Sequence, residues 1–231
     1  MPRRQFPAAR GAATLTILWD NDGVLVDTEG LYFQSCQTVL SSVGVGLTLD
    51  QFKEISLRRG ESTLILAKDA GVSAEEIQRL RTMRNQLYHD LLQTRSCVVE
   101  GAEEVLHALH GHVRMGVVTS SRRDHFQTAH ARSGLRKYLD FVLTHEEYER
   151  SKPHPEPYLT AMSRHGLRPE QCVVVEDSPR GLGAALAAGI PCLIVLSEWT
   201  RDGDFSGARK VLESIREVPA EVLSMSDPRS P

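Results

Sequence analysis

Several things that would settle a protein's class are scarce in this chain. It has four cysteines in 231 residues, Cys36, Cys97, Cys172 and Cys192, and no two of them form a C-x-x-C pair. Cys172 and Cys192 sit in or beside apolar runs, where reduced core thiols belong, and a cytoplasmic setting fits. No apolar run approaches the ~20 residues that a membrane-spanning helix needs. Positive charge is not in excess: 27 Lys and Arg face 30 Asp and Glu, a net charge of −3, which argues against a nucleic-acid footprint. There is no internal repeat. Gly181-x-Gly183 lacks the G-x-G-x-x-G spacing of a dinucleotide fingerprint, and the strand before it ends in carboxylates that would repel a pyrophosphate. Residues 1–14 are basic and rich in small residues, without the apolar centre of a secretory signal, and read as a disordered extension.

With 41% hydrophobic and 25% charged residues, the chain can bury an ordinary globular core. It is organised around residues 15–29, LTILWDNDGVLVDTE. The apolar start reads as a buried strand that ends at Asp20-Asn21-Asp22-Gly23. Two carboxylates at i and i+2 project from one face of an extended backbone, where they repel unless one is protonated or a cation lies between them. An Asx-rich turn would explain the pair more simply. A calcium loop counted from Asp20 fails, because its twelfth position is Leu31 rather than Glu.

From Thr28 the character changes. Helical patterns run over 31–41, 49–57, 62–70 and 74–92, with a capping box at Ser73-Ala-Glu-Glu76. From Val98 onward, strands alternate with helices. Strands are predicted at 113–119, 141–144, 172–175 and 192–196, the last taken as the final core strand. Helices are predicted at 100–110, 122–133, 155–165 and 181–188. The expected fold is α/β: a mostly parallel sheet from residues 15–27 and 98–226, covered on both faces, with a helical domain inserted at 28–97. The tail from Asp227 is expected to be disordered.

The strand ends collect the polar residues. Asp20 and Asp22 follow the first strand, Thr119 and Ser120 the second, and Glu176 and Asp177 the fourth, with Ser151-Lys152-Pro153-His154-Pro155 upstream. Ligands of open α/β sheets bind beyond the carboxyl ends of their strands. Acidic oxygens there suit Mg²⁺, and a hydroxyl with backbone amides suits phosphate. A lysine can neutralise both a carboxylate and a phosphate. The pattern points to phosphoryl transfer on a carboxylate nucleophile.

These four segments, DNDGVLVDTE, VVTSS, SKPHPEPY and VVVEDSPRG, resemble the four motifs of the haloacid dehalogenase superfamily, in the branch of sugar phosphatases and β-phosphoglucomutase. The resemblance implies a Rossmann-like core with an α-helical cap. It implies that Asp20 attacks phosphorus and that Asp22 serves as acid and base. Thr119, the Ser120 amide and Lys152 would hold the phosphoryl oxygens. Mg²⁺ would lie on Asp20, the Asp22 carbonyl and Asp177, with Glu176 supporting. The segment 56–62, with Arg59 and Glu61, resembles the branch's specificity loop, and Arg84 stands where the cap often offers a second basic group. The expected enzyme is a Mg²⁺-dependent, monomeric phosphatase of a small phosphorylated metabolite, with no membrane or nucleic-acid partner. A mutase and a catalytically weak binding relative are the alternatives. Tyr32, where the mutase has a histidine, lowers the first, and the intact motif set speaks against the second. Asn21 and Trp19 depart from the usual apolar residue and Phe, and Asn21 is expected to need a partner behind the nucleophile. His107, His110 and His112 have metal-like spacing but no matching Cys or acidic ligand, and read as solvated.

Overall fold

The computed structural model describes residues 15–94 and 96–226. The disorder expected for residues 1–14 and for the tail from Asp227 lies outside the described residues.

Six strands, β1 Thr16–Trp19, β2 Arg114–Val118, β3 Phe141–Leu143, β4 Cys172–Glu176, β5 Cys192–Val195 and β6 Lys210–Leu212, form one parallel sheet in the order β3-β2-β1-β4-β5-β6. The expectation that 192–196 is the last core strand is corrected by β6. Three residues, two of them exposed, give too short an alternation to signal an edge strand.

Strand alternation sorts the core into two layers. Ile17 and Trp19 of β1 join Met115, Val117, Val173 and Val175 against α5 (Ala102–Leu109), α6 (Arg123–His130) and α9 (Val218–Ser226). Leu18 joins Val118, Val174 and Ile194 against α7 (Glu156–His165) and α8 (Pro179–Ala187). Both faces of the sheet are covered, so its central strands read as nearly continuous apolar runs.

Between β1 and α5 the chain forms α1 (Glu29–Ser41), α2 (Leu49–Phe52), α3 (Ile65–Asp69) and α4 (Ala74–Thr94). The helix expected over 49–57 becomes α2 followed by a π-helical turn, Lys53–Arg58. Thr48 and Gln51 close a capping box at the start of α2. These helices have their own apolar cluster around Leu40, Phe52, Leu64 and Leu80. The two connections to the sheet lie side by side: the Asp27 amide donates to the Cys97 carbonyl (2.7 Å) and the Val99 amide to that of Leu25 (3.0 Å). Among the described residues no helix is long and apolar enough to cross a membrane.

Candidate active site

The strand register brings the motif residues to one level. Trp19 pairs with Val117 on one side and Val175 on the other. Asp20 therefore leaves the sheet beside Val118 and Glu176, one residue before Thr119, at the point where the chain crosses from one half of the sheet to the other. Glu176 continues the even-numbered side of β4 and points at α7 and α8. It is fully buried. Lys152 reaches in from the loop before α7. Its Nζ lies 2.7 Å from Asp20 Oδ1, 2.6 Å from Glu176 Oε1 and 2.9 Å from the Val118 carbonyl. Glu176 Oε1 also accepts from the Tyr158 hydroxyl (3.1 Å), and Oε2 from the Asp177 amide and the Ser178 amide and hydroxyl.

Two glycines make this packing possible. A Cβ at Gly181 would lie 1.8 Å from the Glu176 carboxyl carbon. Gly23 has φ +84°, and a Cβ there would lie 2.1 Å from Asp177 Oδ2.

Asp20, Glu176 and Asp177 each offer an oxygen within 4.8 Å of the others. Burial and repulsion from Glu176 push Asp20 well above the usual carboxylate range, against the pull of Lys152, and push Asp177 up to about 8. Burial alone would raise Glu176 and lower Lys152. Attraction to Lys152 outweighs it for Glu176, which stays below its ordinary value, and attraction to Asp20 and then Glu176 outweighs it for Lys152, which stands well above. Three carboxylates thus face one ammonium, an excess of two negative charges when all are ionised. All the donors are hard oxygens. A divalent hard cation fits both the charge and the donor set.

The Asp22 carboxylate turns the other way. It accepts from the Ser121 hydroxyl (2.7 Å), the Thr119 hydroxyl (3.3 Å) and the Asn21 amide (3.2 Å), and from the hydroxyl of Thr28, at the root of α1. Asp20 and Asp22 both line a cavity of about 430 Å³ between the strand ends and the helical insert. Lys152, Asp177 and Ser120 also line it, as do Glu61 and Arg84 from the insert. Arg84 is only 8% exposed and has neutral partners: Asn85 Oδ1 at 2.8 Å, Ser62 Oγ at 3.4 Å and the face of Tyr32. Arg59 is ion-paired with Glu61 on the surface and does not line the cavity. Arg58 pairs with Asp202 at 2.6 Å, also outside it.

The haloacid dehalogenase-like hydrolase family matches residues 17–195. The chain belongs to that family. It is 31% identical over 191 residues to a phosphorylated carbohydrates phosphatase of Thermotoga maritima, covering 81% of this chain and 87% of that one. It is 33% identical over 180 residues to the validoxylamine A 7'-phosphate phosphatase of Streptomyces hygroscopicus subsp. limoneus, covering 76% and 83%. The fold matches that of CbbY from Rhodobacter sphaeroides, solved in complex with phosphate, with TM-score 0.77 and 22% identity over 89% of this chain and 96% of that one. The protein is therefore an enzyme of the haloacid dehalogenase-like hydrolases, and these two relatives are named phosphatases.

Within this hydrolase the partner of Asn21 is His130, on α6. His130 Nε2 lies 2.7 Å from Asn21 Oδ1, and its Nδ1 lies 2.9 Å from Ser133 Oγ. Both side chains are buried, and burial pushes His130 down to about 4. Sequence pattern identified the need for a partner but not which residue meets it, because α6 lies more than a hundred residues downstream. It also missed Ser121, Glu29 and Arg180, which line the cavity. Ser121 was legible as the next hydroxyl after Thr119 and Ser120. Glu29 is pushed up to about 8 by burial and the nearby Asp22, a consequence of folding that no local pattern carries. His107 and His110 flank the ring of Tyr138, and neither joins an acidic cluster among the described residues.

Proposed function

We propose that this hydrolase is a Mg²⁺-dependent phosphatase acting on a small phosphorylated metabolite, a sugar phosphate above all. The observation that carries this reading is the buried Asp20–Lys152–Glu176 cluster beside Asp177. It opens into a polar cavity of about 430 Å³, within the range of small-molecule sites. The names of the two relatives support the substrate class.

Asp20, Asp177 and the Asp22 backbone carbonyl would hold Mg²⁺, with Glu176 supporting, and the ion when bound neutralises charge on the phosphoryl oxygens. Lys152 offsets the charge of Asp20 and of the incoming anion, so the carboxylate can approach phosphorus. The Thr119 hydroxyl and the Ser120 amide orient the remaining oxygens. Asp20 attacks phosphorus, the bond to the sugar oxygen breaks, and Asp22 gives that oxygen its proton. Asp22, now ionised, takes a proton from water. That water attacks the aspartyl-phosphate, releasing inorganic phosphate and restoring Asp20. Residues 28–97 act as a cap that opens for exchange and closes over the substrate, with hinges at 27–29 and 96–100. Arg84 and Glu61 contact the substrate from the cap, with Arg59 at its rim. The enzyme is cytoplasmic and monomeric in this reading.

The test is a panel of phosphorylated metabolites, scored for released phosphate with Mg²⁺ and with chelator. One sugar phosphate should dominate, and chelator or Asp20→Asn should silence it. Product formed only in the presence of a bisphosphate primer, without release of phosphate, would instead establish a mutase.

A further inference from the structure

The loop that follows β5 touches the acidic cluster and the helical insert at once. Ser197 Oγ donates to Asp177 Oδ2 (2.9 Å). Thr200 Oγ1 donates to the Asp177 carbonyl (2.6 Å) and lies 3.2 Å from Oδ2. The two hydroxyls are 2.8 Å apart, and the loop closes on itself through Arg201 N to Ser197 O (3.0 Å) and Gly203 N to Thr200 O (2.8 Å). Moving any part of so tight a loop moves the hydroxyls that hold Asp177.

Between those two hydroxyls stands Trp199, which faces the insert. Its ring meets Phe52 edge-on, with centroids 6.0 Å apart. A Cβ at Gly30 would lie 3.3 Å from its Cζ2, so the indole also lies against the first turn of α1. The neighbouring loop residues reach the same part of the insert: Asp202 pairs with Arg58 at 2.6 Å, and the Glu198 carbonyl lies 3.4 Å from Lys53 Nζ. Phe52, Lys53 and Arg58 lead directly into the segment that lines the cavity at Ser56, Leu57 and Gly60–Ser62.

We propose that Trp199 is a positioning residue for Asp177: its seat on the insert fixes the loop whose hydroxyls aim that carboxylate at the divalent cation. The seating of the insert over the cavity and the affinity for the cation are thereby coupled, and each strengthens the other by the same factor. Outer-shell groups that orient a ligand change metal affinity by about 10–100-fold when lost. Trp199 acts one step further out, through backbone rather than by touching the carboxylate. The inference rests on the reading of Asp177 as a cation ligand.

The experiment uses the full chain without substrate. Mn²⁺ binding is read by electron paramagnetic resonance, with Mg²⁺ as competitor. Trp199→Ala should weaken Mn²⁺ binding about tenfold. Trp199→Phe, which keeps the edge-on contact, should stay within about twofold of the parent on the same scale. A second measurement leaves Trp199 and its contacts unchanged. In Trp19→Phe protein the remaining indole is Trp199, and its emission should change on Mg²⁺ titration with the midpoint found by competition. Unchanged Mn²⁺ affinity in Trp199→Ala, or emission blind to Mg²⁺, overturns the proposal. If the parent binds no divalent ion, this inference and the metal-dependent reading fall together. If the parent binds the ion and Trp199 behaves as expected but no substrate is turned over, only the phosphatase reading falls.

Discussion

Asn21 and His130 should behave as one unit, so the costs of losing them should not add. Asn21 Nδ2 donates to Asp22, so its Oδ1 faces His130 and can only accept; His130 Nε2 must carry the proton. Asn21→Leu strands that N–H in the core. His130→Phe strands the Asn21 carbonyl oxygen. A buried polar group left without a partner costs about 1–3 kcal/mol, whereas removing both partners in favour of apolar groups of similar shape can be nearly neutral. The double variant should therefore be more stable than the sum of the singles by roughly 1–2 kcal/mol. The assay is urea unfolding of the four proteins at pH 7.5 in chelator. Single effects that add to within about 0.5 kcal/mol would refute the pairing.

The same pair predicts a pH dependence. The folded-state pKa of His130, about 4, lies below the ordinary value of 6.5. Above pH 6.5 both folded and unfolded states are neutral and the full stability is present. As pH falls from 6.5 toward 4, the unfolded chain takes up a proton that the folded chain excludes, and stability is lost. The gap is worth about 3 kcal/mol at most. The His130→Phe protein should lack this part of the acid sensitivity; an unchanged slope between pH 6.5 and 4 would count against it.

Three further outcomes follow from the site. Lys152→Met leaves buried Asp20 and Glu176 without their cation, so metal-free protein should lose about 3–5 kcal/mol and melt roughly 6–20 °C lower by calorimetry. Gly181→Ala drives a methyl into the Glu176 carboxylate; a loss of at least 1–3 kcal/mol is expected, with a fall in kcat because Lys152 moves with Glu176, whereas parental stability and kcat would refute the packing argument. Arg84→Ala should raise KM for the sugar phosphate about tenfold, as loss of a charge-assisted hydrogen bond does, while leaving hydrolysis of a small aryl phosphate nearly unchanged. Equal effects on both would place Arg84 in the structure of the insert rather than at the substrate.

The sheet was legible where apolar runs end in carboxylates or hydroxyls. The change from apolar to polar at Trp19-Asp20, Val118-Thr119 and Val175-Glu176 lies within one residue of each strand end, β4 running on to Glu176 itself. The helical insert was legible from its 3.6-residue period, apart from the π-helical turn after α2, whose residues continue a helical pattern while the hydrogen bonding changes. What could not be read was everything that depends on two distant segments meeting. His130 behind Asn21, Ser197 and Thr200 on Asp177, and the neutral surroundings of Arg84 each join positions brought together only by the fold. Arg59 and Arg84 look alike as arginines of the helical insert, yet one is satisfied by a carboxylate two residues away and the other turns inward. Charge alone did not separate them.

The central place of β1 has a consequence for how the chain is made. Its two neighbours, β2 and β4, lie about 100 and about 155 residues further along. A ribosome extending the chain at about 5–20 residues per second delivers the second neighbour roughly 8–30 s after β1 itself. During that interval the four helices can pack on one another, since their cluster around Leu40, Phe52, Leu64 and Leu80 is nearly local. The sheet cannot close, because its middle strand lacks one side. Asp177, one residue beyond β4, comes last among the three acids. The nascent protein thus carries its helical insert long before the Asp20–Glu176–Asp177 cluster exists, and acquires both that cluster and the sealed core in one late step.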